Sequence, residues 1–327
     1  MLGAVLSFLV RRLAIGAVVI AAVSFLSWLI FATALNPLWV FWADPKSPDA
    51  LAAATRGHIH EPVLVRYWLW LKGLFSGQGF GHTVVQNTPV WPAVEPALWR
   101  TLQLVGASLV LVVVSSVLVA IISVRRRGSP LDVGLRTVSY VSWAMPAFLV
   151  ALLLQQGGNA LAKQWHGYPL AIAGAPTPGL GLSWHVVTNW LAHMTLPAVA
   201  VAVGFGGAYS RYLRSSLLTT LALPYATVAE AKGLSKAQVI RRHALRNALV
   251  PFTAAIALDF GTVFTATLAA DYVFGLGGLA SVFLNGAFAG DPFVIEAEVI
   301  VAAGLVIVAG IVGEVVCAWL DPRARLA

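Results

Sequence analysis

Long apolar stretches, separated by short polar segments that carry most of the cations, dominate the chain. Six of them have roughly the 20 residues a helix needs to cross about 30 Å of hydrocarbon: residues 13–35, 101–124, 137–154, 186–210, 247–270 and 299–320. The fourth contains His193 and Pro197 and the fifth contains Asp259, which a helix bundle tolerates. Between the first two, residues 36–100 mix large apolar residues with turn formers. They hold Trp39, Trp42, Trp68, Trp70, Trp91 and Trp99, half of the twelve tryptophans. Glu61-Pro62 opens a helix over residues 63–75. Its apolar residues, with Arg66 and Lys72, suit either a helix lying in the outer interface or a buried lid over the bundle. The pattern predicts an all-α polytopic membrane protein with six transmembrane helices. Its parts are the N-terminus and first span (1–35), an extracytoplasmic Trp-rich loop (36–100) and a core transmembrane domain (101–327) that includes a cytoplasmic segment, 211–247.

Composition narrows the class. A chain 59% hydrophobic and 10% charged cannot cover a soluble globule with charge, and it has the opposite bias from a disordered one. The single cysteine, Cys317, excludes a disulfide framework and a cysteine-built metal site. A net charge of +8 would suit nucleic acid, but the positions of the cations point elsewhere. With the N-terminus inside, the inner segments carry Arg11, Arg12, Arg125, Arg126, Arg127, Arg136, Arg211, Arg214, Lys232, Lys236, Arg241, Arg242, Arg246, Arg323 and Arg325. The outer ones carry only Lys46, Arg56, Arg66, Lys72, Arg100 and Lys163. The last outer segment, 271–298, has four acids and no base. This asymmetry predicts both termini on the cytoplasmic side. Arg11-Arg12 then flanks the first span. A twin-arginine export signal would need a shorter apolar run and a small-residue cleavage site.

The most informative stretch runs from Arg211 to Pro251. Pro224 can open a short helix, and Gly233 stands where a left-handed residue would end it. Ser235 and Gln238 have capping-box spacing, and Leu234 and Val239 occupy staple positions. The result is a helix–glycine–helix elbow rimmed by cations. Its apolar residues Val228, Leu234 and Val239 would need a groove to fill, which suits docking on a partner. Contact of a solvated basic loop with anionic lipid is the other reading.

These residues resemble a family. Permease subunits of binding-protein-dependent ABC importers, in the oligopeptide and dipeptide branch, share a loop of the form A-x-A-K-G-L-S followed by H-x-L-R-N-A-L-x-P. Here it reads Ala229-Glu230-Ala231-Lys232-Gly233-Leu234-Ser235, then His243-Ala244-Leu245-Arg246-Asn247-Ala248-Leu249-Val250-Pro251. Phe8-Leu9-Val10-Arg11-Arg12-Leu13, Pro62 to Tyr67, Asp271 to Gly278 and Asp321-Pro322-Arg323-Ala324-Arg325 are similar to other stretches of that branch. Against the wider family, Thr227 stands at a Glu position and Arg246 at a Pro position; against the branch itself, Asp271 stands at a Glu position and the stretch to Gly278 lacks a proline.

The resemblance implies a type I ABC importer permease fold and a place in the bacterial inner membrane. It also implies an ATPase-docking coupling segment comprising Ala229, Glu230, Ala231, Lys232, Gly233, Leu234, Ser235 and Arg241. The implied partners are a homologous second permease, one or two ABC ATPase subunits, an extracytoplasmic substrate-binding protein, peptide and membrane lipid, with no nucleic acid. ATP and Mg would sit on the partner ATPases, with no cofactor or metal on this chain and no catalytic residues. No Gly-Lys pair occurs, so a P-loop is absent from the sequence.

Other candidate chemistry is weaker. Asp259 at mid-span costs about 2.5–3.5 kcal/mol, and seven apolar neighbours on its span return about 0.3–0.6 kcal/mol each, so the span can insert. Its carboxylate then faces a translocation path or a partner helix. Glu314 reads as a structural intramembrane acid paired with an inner arginine. Gly204, Gly206 and Gly207, with Pro197, make the fourth span kinkable. His58-Ile59-His60-Glu61 suits a solvated turn better than a metal site. Gly106-Ala107-Ser108 suits helix packing better than a serine nucleophile, and Gly275-Leu276-Gly277-Gly278 lacks the βαβ setting of a dinucleotide fingerprint. Two rival functions remain open: the same fold importing nickel or glutathione, and an ion-coupled secondary transporter using Asp259 and Glu314.

Overall fold

The computed structural model describes residues 2–41, 43–165, 167–177 and 183–320. The expectations that fall on Trp42 and on residues 321–325, including Arg323 and Arg325, lie outside the described residues. In chain order the α-helices are α1 (Leu2–Ala34), α2 (Pro48–Arg56), α3 (Val63–Gly73), α4 (Trp91–Arg125), α5 (Pro130–Ala144), α6 (Ala147–Gln164), α7 (Trp184–Leu221), α8 (Pro224–Ala231), α9 (Lys236–Val239), α10 (Leu245–Leu258), α11 (Phe260–Phe274), α12 (Leu279–Ala289) and α13 (Pro292–Leu320). Among the described residues the β-structure is one isolated bridge, His82 to Pro89. The helices α1, α4, α7 and α13 are long and apolar enough to cross a membrane, and two bent pairs raise the number to six if each pair is one span.

Two expected spans are therefore broken. The stretch 137–154 divides into α5 and α6, which meet at 104°. Proline disfavours helical geometry in the residue before it, and Met145, ahead of Pro146, is extended at φ −83°, ψ 128°. The stretch 247–270 bends by 59° at Asp259. Two other boundaries move outward. Helix α4 begins at Trp91, with Pro92 in its first turn, and α13 begins at Pro292. The segment between α1 and α4 thus ends at residue 90.

The chain forms two compact units. One comprises residues up to Thr101 together with Gly277–Val308. Its core is aromatic. Trp28 of α1 stacks on Trp70 of α3 at 5.5 Å and lies 5.7 Å from Phe293. Both indoles are satisfied: Trp28 Nε1 donates to the Val63 carbonyl at 3.2 Å, and Trp70 Nε1 to that of Phe80 at 3.3 Å. One face of α3 buries Arg66 and Trp70, while Leu64, Trp68 and, just beyond the helix, Phe75 are exposed. One side of this helix is thus buried and the other exposed.

The four acids of segment 271–298, counted above only for their charge, are buried. Asp271, Asp291, Glu296 and Glu298 are all 5% exposed or less. In the first unit, Asp291 accepts from the backbone N–H of Val84 at 2.6 Å and of Phe293 at 3.0 Å. Burial pushes its carboxyl up, and backbone donors from Val84, Phe293 and Val294 pull it back. Glu296 accepts from Ser27 of α1 at 2.6 Å. Segment 271–298 is mostly helix, and the carboxylates of Asp291 and Glu296 serve as internal acceptors.

The other unit comprises Leu102–Leu276 and the chain from Ala309 on. Here α7 is the axis, with α5, α6, α10 and α11 packed around it. Its core includes Leu104, Val112, Met194, Leu213, Leu217 and Phe252. Helix α7 runs through Pro197 and its glycines as one element. The glycines act through close approach instead. A Cβ on Gly207 would stand 2.7 Å from the carbonyl oxygen of Ser139 and nearer still to Ser142 Oγ, and one on Gly206 would stand 2.6 Å from Ser115 Oγ. Their absence lets α5 and α4 meet α7 backbone to backbone.

Candidate functional site

The elbow has the shape its sequence predicts. Pro224 opens α8, and Gly233 adopts φ +87°, a left-handed geometry that glycine reaches without Cβ cost. The N–H of Gly233 donates to the Glu230 carbonyl at 2.9 Å and that of Leu234 to Ala229 at 3.3 Å, closing the C-terminus of α8. Both capping-box bonds form: Ser235 N–H donates to Gln238 Oε1 at 2.9 Å, and Gln238 N–H to Ser235 Oγ at 3.4 Å.

The interior of the elbow differs from expectation. Val239 is fully buried against Ala226 and Ala229, and Leu234 packs on the same cluster with Tyr225 and Leu221. Leu234 and Val239 therefore fill the elbow's own core and need no external groove. Ala229 likewise faces inward. What remains outward is Val228 at 52% exposure, with Glu230, Ala231, Lys232, Gly233, Ser235 and Arg241, followed by Arg242 and Arg246. The segment is thus a pre-packed knob with a small-residue tip and a cationic rim.

The knob is attached rigidly on two sides. Helix α9 passes through a π-helical turn, Ile240–Ala244, into α10, so that Lys236–Leu258 forms one continuous helix. From α10, Asn247 Nδ2 donates to Tyr225 Oη on α8 at 3.0 Å. Helix α8 in turn follows α7 after a short turn at Ala222 and Leu223.

Near that end of α7 lies a buried ion pair. Asp132, on the first turn of α5, is 1% exposed. Arg214 of α7 engages it with both arms of the guanidinium, Nη2 to Oδ2 at 3.0 Å and Nε to Oδ1 at 3.2 Å. Arg214 Nε also reaches Ser123 Oγ of α4 at 2.7 Å, and Ser123 donates to Asp132. The Gly128 N–H donates to Asp132 Oδ2 at 3.0 Å, and Arg136 stands 3.7 Å from Oδ1. One carboxylate thus ties α4, α5 and α7 together with bidentate, charge-assisted geometry. Above it, Arg211 donates to the Ser139 carbonyl and lies 4.4 Å over the Tyr140 ring. Sequence reasoning missed Asp132. The available signal was Ser129-Pro130-Leu131-Asp132, an N-cap, a first-turn proline and an acid at the helix start.

Asp259 sits at the helix break, where it ends α10 and begins α11. Its side chain is exposed and accepts from Tyr209 Oη of α7 at 3.2 Å, while its carbonyl accepts from the N–H groups of Thr262 and Val263. One turn on, Gly261, Thr262 and Thr265 line a cavity of about 510 Å³ together with Trp143 and Phe205. The carboxylate therefore has both a partner and an open side. Glu314 is half-buried on α13 beside Gly313, whose missing Cβ lets that helix approach Ala257 of α10.

The weaker candidates resolve structurally. His58, His60 and Glu61 lie exposed in a turn, and no three metal-ligating side chains converge among the described residues. Ser108 is fully buried, with no hydrogen-bond partner among the described residues, hence no general base. Gly275 and Gly277 take left-handed geometry where α11 ends.

The chain matches two family models. Residues 113–326 match "Binding-protein-dependent transport system inner membrane component", and residues 5–94 match "Binding-prot-dependent transport system membrane comp, N-term". It is 28% identical to the oligopeptide transport system permease protein OppB of Mycobacterium tuberculosis, over 98% of this chain and 99% of the relative. It is 28% identical to the oligopeptide transport system permease protein AppB of Bacillus subtilis, over 97% and 98%. The metal-staphylopine import system permease protein CntB of Staphylococcus aureus is 26% identical, again over 97% and 98%.

Proposed function

Because the chain belongs to the family of binding-protein-dependent transport system inner membrane components, we propose that it is the permease subunit of an ATP-driven peptide importer, forming half of the path and drawing its energy from a separate ATPase. The observation that carries the coupling role is the elbow, a pre-packed knob continuous with α10. In this reading Glu230, Ala231, Lys232, Gly233, Ser235 and Arg241 meet the ATPase, while Ala229 and Leu234 hold the knob's shape from within. Closure of the ATPase dimer moves the knob, α10 moves with it, and the Asp132–Arg214 pair carries the displacement from α7 into α4 and α5. Thr262, Thr265 and Asp259 then border the path. A second homologous permease supplies its other half, and a binding protein delivers peptide from outside.

Reconstituting the complete transporter tests this. Peptide-loaded binding protein should stimulate ATP hydrolysis, and uptake should persist after ion gradients are collapsed. Uptake that follows an ion gradient and ignores ATP would replace the importer with a secondary transporter. Stimulation by a nickel complex or glutathione, and not by peptide, would keep the importer and change its cargo, an alternative that the metal-staphylopine relative supports.

We place both termini in the cytoplasm, from the excess of inner cations. In a Cys317→Ser background, Lys46→Cys should react with an impermeant maleimide on intact cells, and Lys232→Cys only after permeabilisation. The reverse pattern would invert the topology.

A further inference from the structure

The first unit contains a cation that its fold leaves uncompensated. Arg66 projects from the buried face of α3 and is 7% exposed. Its Nη1 makes one long bond, 3.4 Å to the Ala32 carbonyl, and its Nε has no partner among the described residues. No carboxylate stands within ion-pair reach of it among the described residues. A guanidinium taken out of water without a counter-anion is strongly unfavourable, and burial pulls its proton affinity down from the ordinary value.

Arg66 borders a cavity of about 230 Å³ whose wall also includes Arg56, His58, Trp70, Gln78 and His82, and no acid among the described residues. Arg56 is held in place by its own bonds: Nε donates to the Val84 carbonyl and Nη2 to that of Val85, both at 3.0 Å, which leaves Nη1 for another acceptor. With Asn87, the wall thus offers two guanidinium groups, two imidazoles and two amides. That is more donor capacity than the four lone-pair sites of a carboxylate absorb, and it matches a phosphate group. The other face of α3 exposes Leu64 and Trp68, as a helix at headgroup depth would.

We propose that the cavity beside Arg66 is a binding site for a phosphate group, supplied either by a lipid headgroup or by free phosphate. This site is separate from the coupling elbow and does not depend on the transport assignment.

The full chain, delipidated in a phosphate-free maltoside detergent, would be titrated with inorganic phosphate and with short-chain phosphatidylglycerol. Intrinsic tryptophan fluorescence and thermal stability would be followed, with short-chain diacylglycerol as the control for the apolar part. Saturation by inorganic phosphate identifies a free-phosphate site. Saturation by phosphatidylglycerol alone identifies a headgroup site. In either case Arg66→Gln should weaken binding at least tenfold. His82→Asp, at an exposed side chain, should do the same and decides the matter if Arg66→Gln misfolds. Absence of saturation by both probes, response to diacylglycerol alone, or binding unchanged in His82→Asp would overturn the proposal.

Discussion

Gly233→Val should leave the transporter assembled while peptide no longer stimulates ATP hydrolysis, with uptake reduced at least about tenfold. The space around Gly233 is open, with nothing within 4 Å of an added Cβ, so the substitution acts through the backbone. A β-branched residue at φ +87° costs on the order of 1–3 kcal/mol. The elbow relieves that cost by opening, and Val239 then leaves its contact with Ala226 and Ala229. Gly233→Asn is the control, because asparagine tolerates left-handed geometry and should retain most coupling. Normal peptide-stimulated hydrolysis in Gly233→Val would remove the elbow from the coupling path, although membership of the permease family would stand.

The second large effect is expected at Asp132. Asp132→Ala strips a partly buried guanidinium of its bidentate partner; breaking a fully buried pair costs about 3–5 kcal/mol, so a loss of about 2–3 kcal/mol is expected. The double variant Asp132→Leu with Arg214→Met should recover much of that loss, because it removes both charges and retains the volume. Denaturant unfolding of the purified chain measures both. A loss below about 1 kcal/mol in Asp132→Ala would show that the pair is hydrated and does not bind α4, α5 and α7 together. If the double variant is stable yet transports poorly, the pair matters for transmission more than for folding.

Local signals were legible in the sequence, whereas long-range pairings were not. The elbow was readable because capping box, left-handed glycine and staple spacing all lie within a dozen residues and each has one geometric meaning. Which of its apolar residues turn inward was not readable, since Leu234 and Val239 look the same whether they fill a partner's groove or their own core. The break at Met145-Pro146 was available from the proline alone but was masked by the apolar run around it. Asp132 is separated from Arg214 by 82 residues, and charge counting had used its neighbours only to orient the chain. The burial of the acids in 271–298 was not legible for a related reason: the charge count says nothing of the distant partners, Ser27 and the Val84 N–H, that accompany two of them.

The unbroken run from Lys236 to Leu258 has a mechanical consequence. At about 1.5 Å per residue it is a rod roughly 34 Å long, so a tilt of about 10° applied at the elbow displaces the far end by about 6 Å. That end is where Asp259 interrupts the helix and Tyr209 holds its carboxylate. If the elbow docks on the ATPase as proposed, a small swing there would be magnified at the bend between this rod and α11, beside the Tyr209–Asp259 hydrogen bond.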